Sequence, residues 1–436
     1  MHVSTPSRAA AANRRRLAAA CALLLCAALP ARAAVFTVNS EADVPDDAIG
    51  NGECHAELGL PGVCTLRAAI QEANANPGLD QIWLTAGQVY TLTRAGQDAT
   101  AANGDLDILD DVQVLFLASG ERPVVDANGL ERAFEVHEGH ATLLGFDLVG
   151  GDASLAGDQT GGAIAVAFDA GVVRLSLLRL HGNRANFGGA LYNDGAQTTV
   201  SACEFFDNAA LDDFTDSGGA AILNRGTLLI ENSSVLDNGG VDGLGAIAVE
   251  NTPPFSGEPV LTLVNSTIAR NVGFGVLSRD AATLVVRNAT IAGNSTVGVR
   301  IAGAGGTFQM RNSVIARNGD EDCVISVTAT LNLDRYNMDS DDTCELSSGS
   351  SNYPGVEPWL TPPMRRGGFT RVAWPLTRSP VIDQAHPVIG AIGCEEEDQD
   401  FNERPVDFDG DGNARCDVGA VELDDDVIFH DPMERL

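Results

Sequence analysis

Residues 261–318 read LTLVNSTIARN (Leu261–Asn271), VGFGVLSRDAAT (Val272–Thr283), LVVRNATIAGN (Leu284–Asn294), STVGVRIAGAGGT (Ser295–Thr307) and FQMRNSVIARN (Phe308–Asn318). The first, third and last of these lines are copies of one unit. Each ends on an apolar residue followed three positions later by Asn: Ile268/Asn271, Ile291/Asn294 and Ile315/Asn318. Working outward toward the N-terminus, the same pair recurs at Leu180/Asn183, Phe205/Asn208 and Val235/Asn238, so that the steps along the chain are 25, 30, 33, 23 and 24 residues. An earlier copy, Leu148/Gly151, keeps the spacing without the Asn. A second element follows each Asn: Gly161-Gly162-Ala163-Ile164, Gly188-Gly189-Ala190-Leu191, Gly218-Gly219-Ala220-Ala221, Gly245-Ala246-Ile247 and Gly275-Val276-Leu277.

A self-similar step of this size is the signature of stacked units. Runs such as Leu261-Thr262-Leu263-Val264 alternate with period two, the pattern of a strand about five residues long. Strands this short bury no face alone, but coil upon coil they form parallel sheets around one apolar core. The recurrent Asn suits a sharp turn, because it tolerates the left-handed region and its amide reaches the next coil. The paired glycines open the following corner. A leucine-rich repeat needs a denser Leu frame, and a propeller longer repeats with aromatic marks. The repeat region also lacks the amphipathic stretches of βαβ units. The expected fold is therefore all-β, a right-handed parallel β-helix. The insertions Leu211–Ser217 and Thr252–Pro259 read as surface loops.

Before the coils, Arg14-Arg15-Arg16, the apolar run Leu17–Leu29 and Ala31-Arg32-Ala33 read as a secretory signal peptide cut near Ala33. The expected partition is 1–33 signal peptide, 34–80 N-terminal cap, 81–344 β-helix, 345–423 C-terminal coil and cap, and 424–436 tail. Thr65–Ala75 reads as a short helix capped by Thr65 and stopped by Asn76-Pro77-Gly78, with Leu66, Ala69, Ile70 and Ala73 on one apolar face. It suits a lid over the exposed end of the first coil. No later stretch reaches the length of a membrane span.

The full chain carries a formal charge of −33, and loss of Arg8, Arg14, Arg15, Arg16 and Arg32 with the signal peptide takes it to −38. That charge repels nucleic acid and anionic lipid, and no nucleic-acid partner is expected. Lysine is absent, which excludes Schiff-base chemistry and a lysine base. Seven cysteines follow the signal peptide. In an exported chain, proximity suggests the disulfides Cys54–Cys64, Cys323–Cys344 and Cys394–Cys416, leaving Cys203 as a buried thiol in an apolar strand.

Three stretches carry a resemblance. FTVNSEADVPDD (Phe36–Asp47) and GECHAELGLPGVCTLRAAIQEANANPG (Gly52–Gly78) resemble the CSLREA-type N-terminal domain of secreted bacterial β-helix proteins, with Cys64-Thr65-Leu66-Arg67-Ala68-Ala69 where the eponymous run has Cys-Ser-Leu-Arg-Glu-Ala. SPVIDQA (Ser379–Ala385), ERP (Glu403–Pro405) and CDVGAVE (Cys416–Glu422) are similar to the C-terminal part of choice-of-anchor Q proteins. Gly161–Ile164 and Phe205–Asn208 resemble the GGAI and FxxN motifs of polymorphic outer-membrane proteins. The resemblance implies a β-helix at or beyond the bacterial cell surface and assigns no chemistry.

Candidate chemistry is sparse. Asp407, Asp409 and Asp411, with Gly412 at the sixth position and Asp417 beyond, match the first half of a calcium loop, although position twelve is Val418 rather than Glu. Asp212, Asp213 and Asp216, on the insertion after Asn208, are the candidate catalytic acids; in β-helix lyases such aspartates hold calcium against a uronate. Arg174, Arg179, Arg287, Arg300 and Arg311 lie in or beside the coils, as outward residues that neutralise acids or meet acidic glycans. His137 and His140 lack the spacing of a helical zinc pair and are assigned no metal. Nucleophile elbow, P-loop and dinucleotide motifs are absent. The favoured expectation is a non-enzymatic adhesin, glycan-binding protein or envelope scaffold. The alternatives are a calcium-dependent lyase or hydrolase of acidic polysaccharide and an autotransporter passenger. Aromatics make up only 5% of the chain, which argues for shallow, extended contacts.

Overall fold

The structure, a computed structural model, describes residues 33–56, 62–155, 157, 159–195, 197–211, 218–240, 246–253, 257–348, 351–390, 393–408 and 410–424. The signal-peptide run up to Arg32, the aspartates Asp212, Asp213, Asp216 and Asp409, and the tail beyond Asp424 lie outside the described residues.

The short alternating strands pair only with their counterparts one coil away, and every such ladder is parallel. Among the described residues, sheet 1 has eleven strands, from Val35–Thr37 to Thr330–Leu333. Sheet 2 has ten, from Val89–Thr91 to Met338–Asp339. Sheet 3 has nine, from Leu106–Ile108 to Glu321–Ile325. Three two-residue strands, Arg184–Ala185, Ala209–Ala210 and Gly239–Gly240, make a fourth, minor sheet. The chain visits sheets 1, 2 and 3 in turn on each coil, which is the expected β-solenoid. Its core is a set of columns. Leu180, Phe205, Val235, Ile268, Ile291 and Ile315 stack in sheet 2, and Leu175, Val200, Ile230, Leu263, Val286 and Met310 in sheet 1, all buried.

The recurrent Asn forms a ladder. The side-chain amides of Asn183, Asn208, Asn238, Asn271 and Asn294 each donate to the Oδ1 of the next Asn in the series, at 2.9–3.1 Å. Gly151, the copy without Asn, donates its N–H to Asn183 Oδ1 at 2.9 Å. The expected left-handed turn lies elsewhere, however. It falls on the residue before the ladder Asn (Asp207, Asp237, Arg270, Arg317) and on a different asparagine six residues ahead of the ladder one: Asn232, Asn265, Asn288 and Asn312, with φ of 50°, 43°, 44° and 48°. The reason is chemical. An amide serving as donor and acceptor to adjacent coils must stand at one fixed height, whereas the corner between sheets 1 and 2 needs only a backbone that accepts positive φ. The glycine corners behave as expected. Gly161, Gly188 and Gly219 have φ of 58°, 66° and 57°, and a Cβ there would meet a backbone oxygen at 2.2–2.3 Å.

Helix α1, Leu66–Ala75, is capped by Thr65 Oγ1, which accepts from Ala68 N at 3.1 Å, and it lays Leu66, Ala69, Ile70 and Ala73 on the first coils. The disulfides are Cys54–Cys64, Cys323–Cys344 and Cys394–Cys416, and Cys203 is a buried thiol. Cys344 and Leu346 pack on the core at the far end. The irregular C-terminal segment then reaches further than a cap. It turns back along the outer face of sheet 2, where Leu360, Ala373 and Val381 cover Val314, Ala316 and Met338. Further back, Asn232 and Asn265 donate to Asp398 O and Glu397 O at 2.8 Å, and Gln399 bridges Thr267, Ser234 and Thr370. It ends against Glu204, which pairs with Arg365 and Arg371.

Candidate functional site

The C-terminal segment covers the later coils of sheet 2 and stops at strand Glu204–Phe206. The neighbouring strand, Arg179–His181, sends Leu180 into the core and turns Arg179 and His181 outward at the edge of the covered area. In register, Arg179 stands between Asp147 on one coil and Glu204 on the other. Both carboxylates are taken by other arginines. Asp147 is held by Arg122 at 2.7 Å, and Glu204 by Arg371 at 2.9 Å and by Arg365. Arg179 is left with no ion pair among the described residues. Its pKa is lowered, chiefly by burial and by repulsion from Arg365 and Arg122, while Asp147 and Glu204, though paired elsewhere, still oppose the shift. Two residues along the same face, His181 stacks on Phe206 with ring centroids 4.5 Å apart and an interplanar angle of 14°. Burial also lowers the His181 pKa, so its ring is neutral at pH 7. Arg371 lies over Phe206 at 4.8 Å. A guanidinium whose register carboxylates are paired with other arginines can take an external carboxylate in a two-pronged contact, beside a His181–Phe206 stack that Arg371 closes on its far side.

The other expected residues separate. Asp407 accepts from Gly410 N and Gly412 N at 2.9 and 3.0 Å in an exposed acidic turn that also carries Asp411. Asp417 is fully buried instead, its oxygens accepting from Asp383 N and Leu423 N, and burial with Glu422 beside it pushes its pKa up. Asp407, Asp411 and Asp417 do not converge as a three-ligand set. Of the outward arginines, Arg287 lies 3.8 Å from Glu395 and Arg300 stands over Phe274, while only Arg179 has lost both carboxylate neighbours to competitors. A cavity of about 660 Å³ between sheet 1 and the C-terminal segment is lined by Glu231, Asn265, Glu395, Glu397 and Arg404, and its charge is negative, the opposite of the Arg179 face.

One grouping escaped the sequence reading. On sheet 3, Asp107 and Glu135 are register partners facing outward, and His137 follows two residues on. Among the described residues these three form the one three-residue set with metal-ligand character, their donor atoms all within 4.8 Å of one another. Asp105 is close by, and burial, opposed by Arg132 but reinforced by Asp107, Glu131 and Glu135, pushes its pKa to about 9. The i, i+2 carboxylate–imidazole spacing of Glu135 and His137 was the available signal. It points to one face of a strand, not of a helix.

Comparison with known proteins agrees with this architecture. Residues 161–315 match the family model described as a right handed beta helix region, which gives the coil its hand. No curated protein matches the chain. Among solved structures, the one titled "Crystal structure of pectate lyase Pel9A" is similar, with a TM-score of 0.52 at 15% identity over 89% of this chain and 96% of that one. At that identity the likeness is one of fold. Among the described residues, no helix is long and apolar enough to cross a membrane.

Proposed function

We propose that this protein is an exported, non-enzymatic β-helix that binds acidic glycan chains along the open face of sheet 2, in the role of an adhesin or envelope-associated scaffold. The observation that carries the reading is Arg179, whose two register carboxylates are occupied by Arg122, Arg365 and Arg371. The His181–Phe206 stack beside it adds a half-buried, uncharged wall to the same site. Three disulfides support an oxidising, extracytoplasmic setting, as does the resemblance to CSLREA-type and choice-of-anchor Q proteins. Parallel coils about 4.8 Å apart suit a linear polymer lying along the helix axis.

The test offers the purified protein polygalacturonate, a sulfated glycan and a neutral glucan, following co-sedimentation and the appearance of unsaturated or reducing ends. Arg179→Ala is expected to weaken binding of the polyuronate about 10- to 100-fold, the worth of a hydrogen bond to a charged group. Neutral glucan should not respond. Equal polyuronate binding by the variant rejects the site. Calcium-dependent product that disappears in an Asp212/Asp213/Asp216→Ala variant would replace this reading with that of a lyase or hydrolase.

A further inference from the structure

We propose that the chain is cut between Ala33 and Ala34 and that the α-ammonium group so created becomes the counter-ion of the buried Asp80 carboxylate, so that export processing itself locks the first coil. This stands or falls separately from glycan binding. Asp80 opens the strand Asp80–Trp83 of sheet 1, and the edge strand Val35–Thr37 pairs with it from Gln81 onward. That register brings the backbone nitrogen of Ala34, one residue before the edge strand, to 2.6 Å from Asp80 Oδ1. Asn76, at the C-terminal end of α1, donates its side-chain amide to both oxygens of the same carboxylate, at 2.8 and 3.1 Å. The start of the edge strand, the start of the strand beside it and the end of the lid helix thus meet on one carboxylate.

What that carboxylate lacks is a cation. Asp80 is fully buried, and among the described residues it makes no ion pair. Burial pushes its pKa up; the bonds from Ala34 and Asn76 oppose the rise, and Asp110 adds to it. A carboxylate taken out of water without an opposite charge is costly. A second negative pole lies alongside, the carbonyl end of α1, whose last turn holds no basic residue. Ala34 and Asn76 line one recess of about 720 Å³ together with Asn51, Glu53 and the Cys54–Cys64 disulfide. The charges around the Ala34 nitrogen, on Asp80, Asp110 and Glu53, are therefore all negative.

The independent observation is the sequence at the bond. Ala31-Arg32-Ala33 places small residues one and three positions before it, as a signal peptidase requires, and Ala33 is exposed. Hydrolysis consumes one water. The C–N bond between Ala33 and Ala34 breaks, the hydroxyl goes to the Ala33 carbonyl carbon and the hydrogen to the Ala34 nitrogen. The new acid's proton then passes to the amine, which leaves a carboxylate on the departing peptide and an ammonium on Ala34 at pH 7. A neutral amide donor becomes a cation where it already stands. A cut one residue earlier would leave Asp80 facing an amide, and a cut one residue later would remove Ala34, whose carbonyl accepts from Gln81 N at 2.9 Å.

The absence of lysine makes the test direct, because the α-amine is then the sole primary amine of the chain. Mass spectrometry of the secreted protein would give its first residue, and an acylating reagent at pH 8 would report the amine's reactivity. Three proteins are compared: the parent, Asp80→Asn, and a variant with one glycine inserted between Ala33 and Ala34, which moves the amine one residue out and returns an amide to Asp80. A start at Ala34 is expected, with the parent amine labelled at least about 10-fold more slowly than either variant, since a buried carboxylate holds it protonated. Asp80→Asn should lower the Tm of the parent and lower that of the insertion variant much less, where no charge pair remains to be lost. A carboxylate serving only as a hydrogen-bond acceptor would cost the same in both. Should Asp80→Asn fail to be secreted, labelling of the parent against the insertion variant decides alone. A first residue other than Ala34, equal labelling of those two proteins, or an equal Asp80→Asn penalty in both backgrounds would each overturn the assignment.

Discussion

Asn238 shows what a single ladder residue contributes. Its amide donates to Asn271 Oδ1, Phe205 O and Leu236 O at 2.9–3.0 Å, and its Oδ1 accepts from the Asn208 backbone and side chain at 3.0 Å. All of these groups are buried, and removing the side chain orphans several at once. Each stranded donor or acceptor costs about 1–3 kcal/mol. Asn238→Ala should therefore lower stability by about 3 kcal/mol or more, visible as a fall in the urea midpoint. Asn265→Gly should cost far less, because glycine accepts the φ of 43° and only the bond to Glu397 O is lost. If the two variants were equally damaging, the separation of ladder and corner roles would be wrong. The recurrence of both asparagines is legible in the sequence. Which one bends the chain is not, because both occur once per coil and only the backbone angle tells them apart. A second ladder, Asn193–Asn224–Asn251–Ser278, went unread since its members sit at the ends of sheet 3 strands without a shared flanking motif.

Among the elements, α1 and the disulfide pairs follow from local rules: a cap, a 3.6-residue apolar period, and close cysteines. The path of the C-terminal segment does not, because Pro-, Gly- and Asp-rich sequence has no period. A hint lies instead on its target. Outward positions in the later strands of sheet 2 carry Thr267, Ala269, Thr290, Ala292, Val314 and Ala316, small and uncharged where solvent would favour charge. The segment is held by a buried acid group. Burial pushes Glu422 to about 7 and Asp417 in the same direction, with Arg404 3.5 Å from Glu422 opposing, and Asp400 is pushed to about 7 by burial and Asp398. These folded values lie above those of an unfolded chain, near 4. The folded state therefore binds the extra protons, and the stability they bring is complete below about pH 4 and lost as pH rises through 7. Melting followed from pH 5 to pH 8 should show a falling Tm, and Glu422→Gln should flatten the fall. A Tm that climbs with pH would contradict the burial assigned to these acids.

For the molecule as a whole, the solenoid is legible because repetition multiplies a weak local pattern, whereas the candidate site is not, because it is defined by competition between distant arginines. Arg179 is distinctive only once Arg122 and Arg365 are known to hold Asp147 and Glu204, and Arg365 arrives on a segment whose path no local pattern gives. The same distance in sequence separates two electrostatic scales. A chain of formal charge −33 repels a polyanion as a body, while on the proposed reading the Arg179 face attracts it locally. At about 0.01 M salt the screening length is roughly 30 Å, comparable to the molecule, and the total charge governs approach. At about 0.15 M it is roughly 8 Å, so a bound uronate senses Arg179 and its neighbours more than the distant acids; at about 1 M, roughly 3 Å, even the local attraction fades. Polyuronate affinity should thus pass through a maximum at intermediate ionic strength, rather than decline steadily as it does for a protein of net positive charge. Arg179→Ala should remove the maximum and leave weak binding that rises with salt as repulsion is screened. Affinity that falls steadily from the lowest salt in the parent protein would mean that the attraction comes from somewhere other than one arginine face on an acidic solenoid.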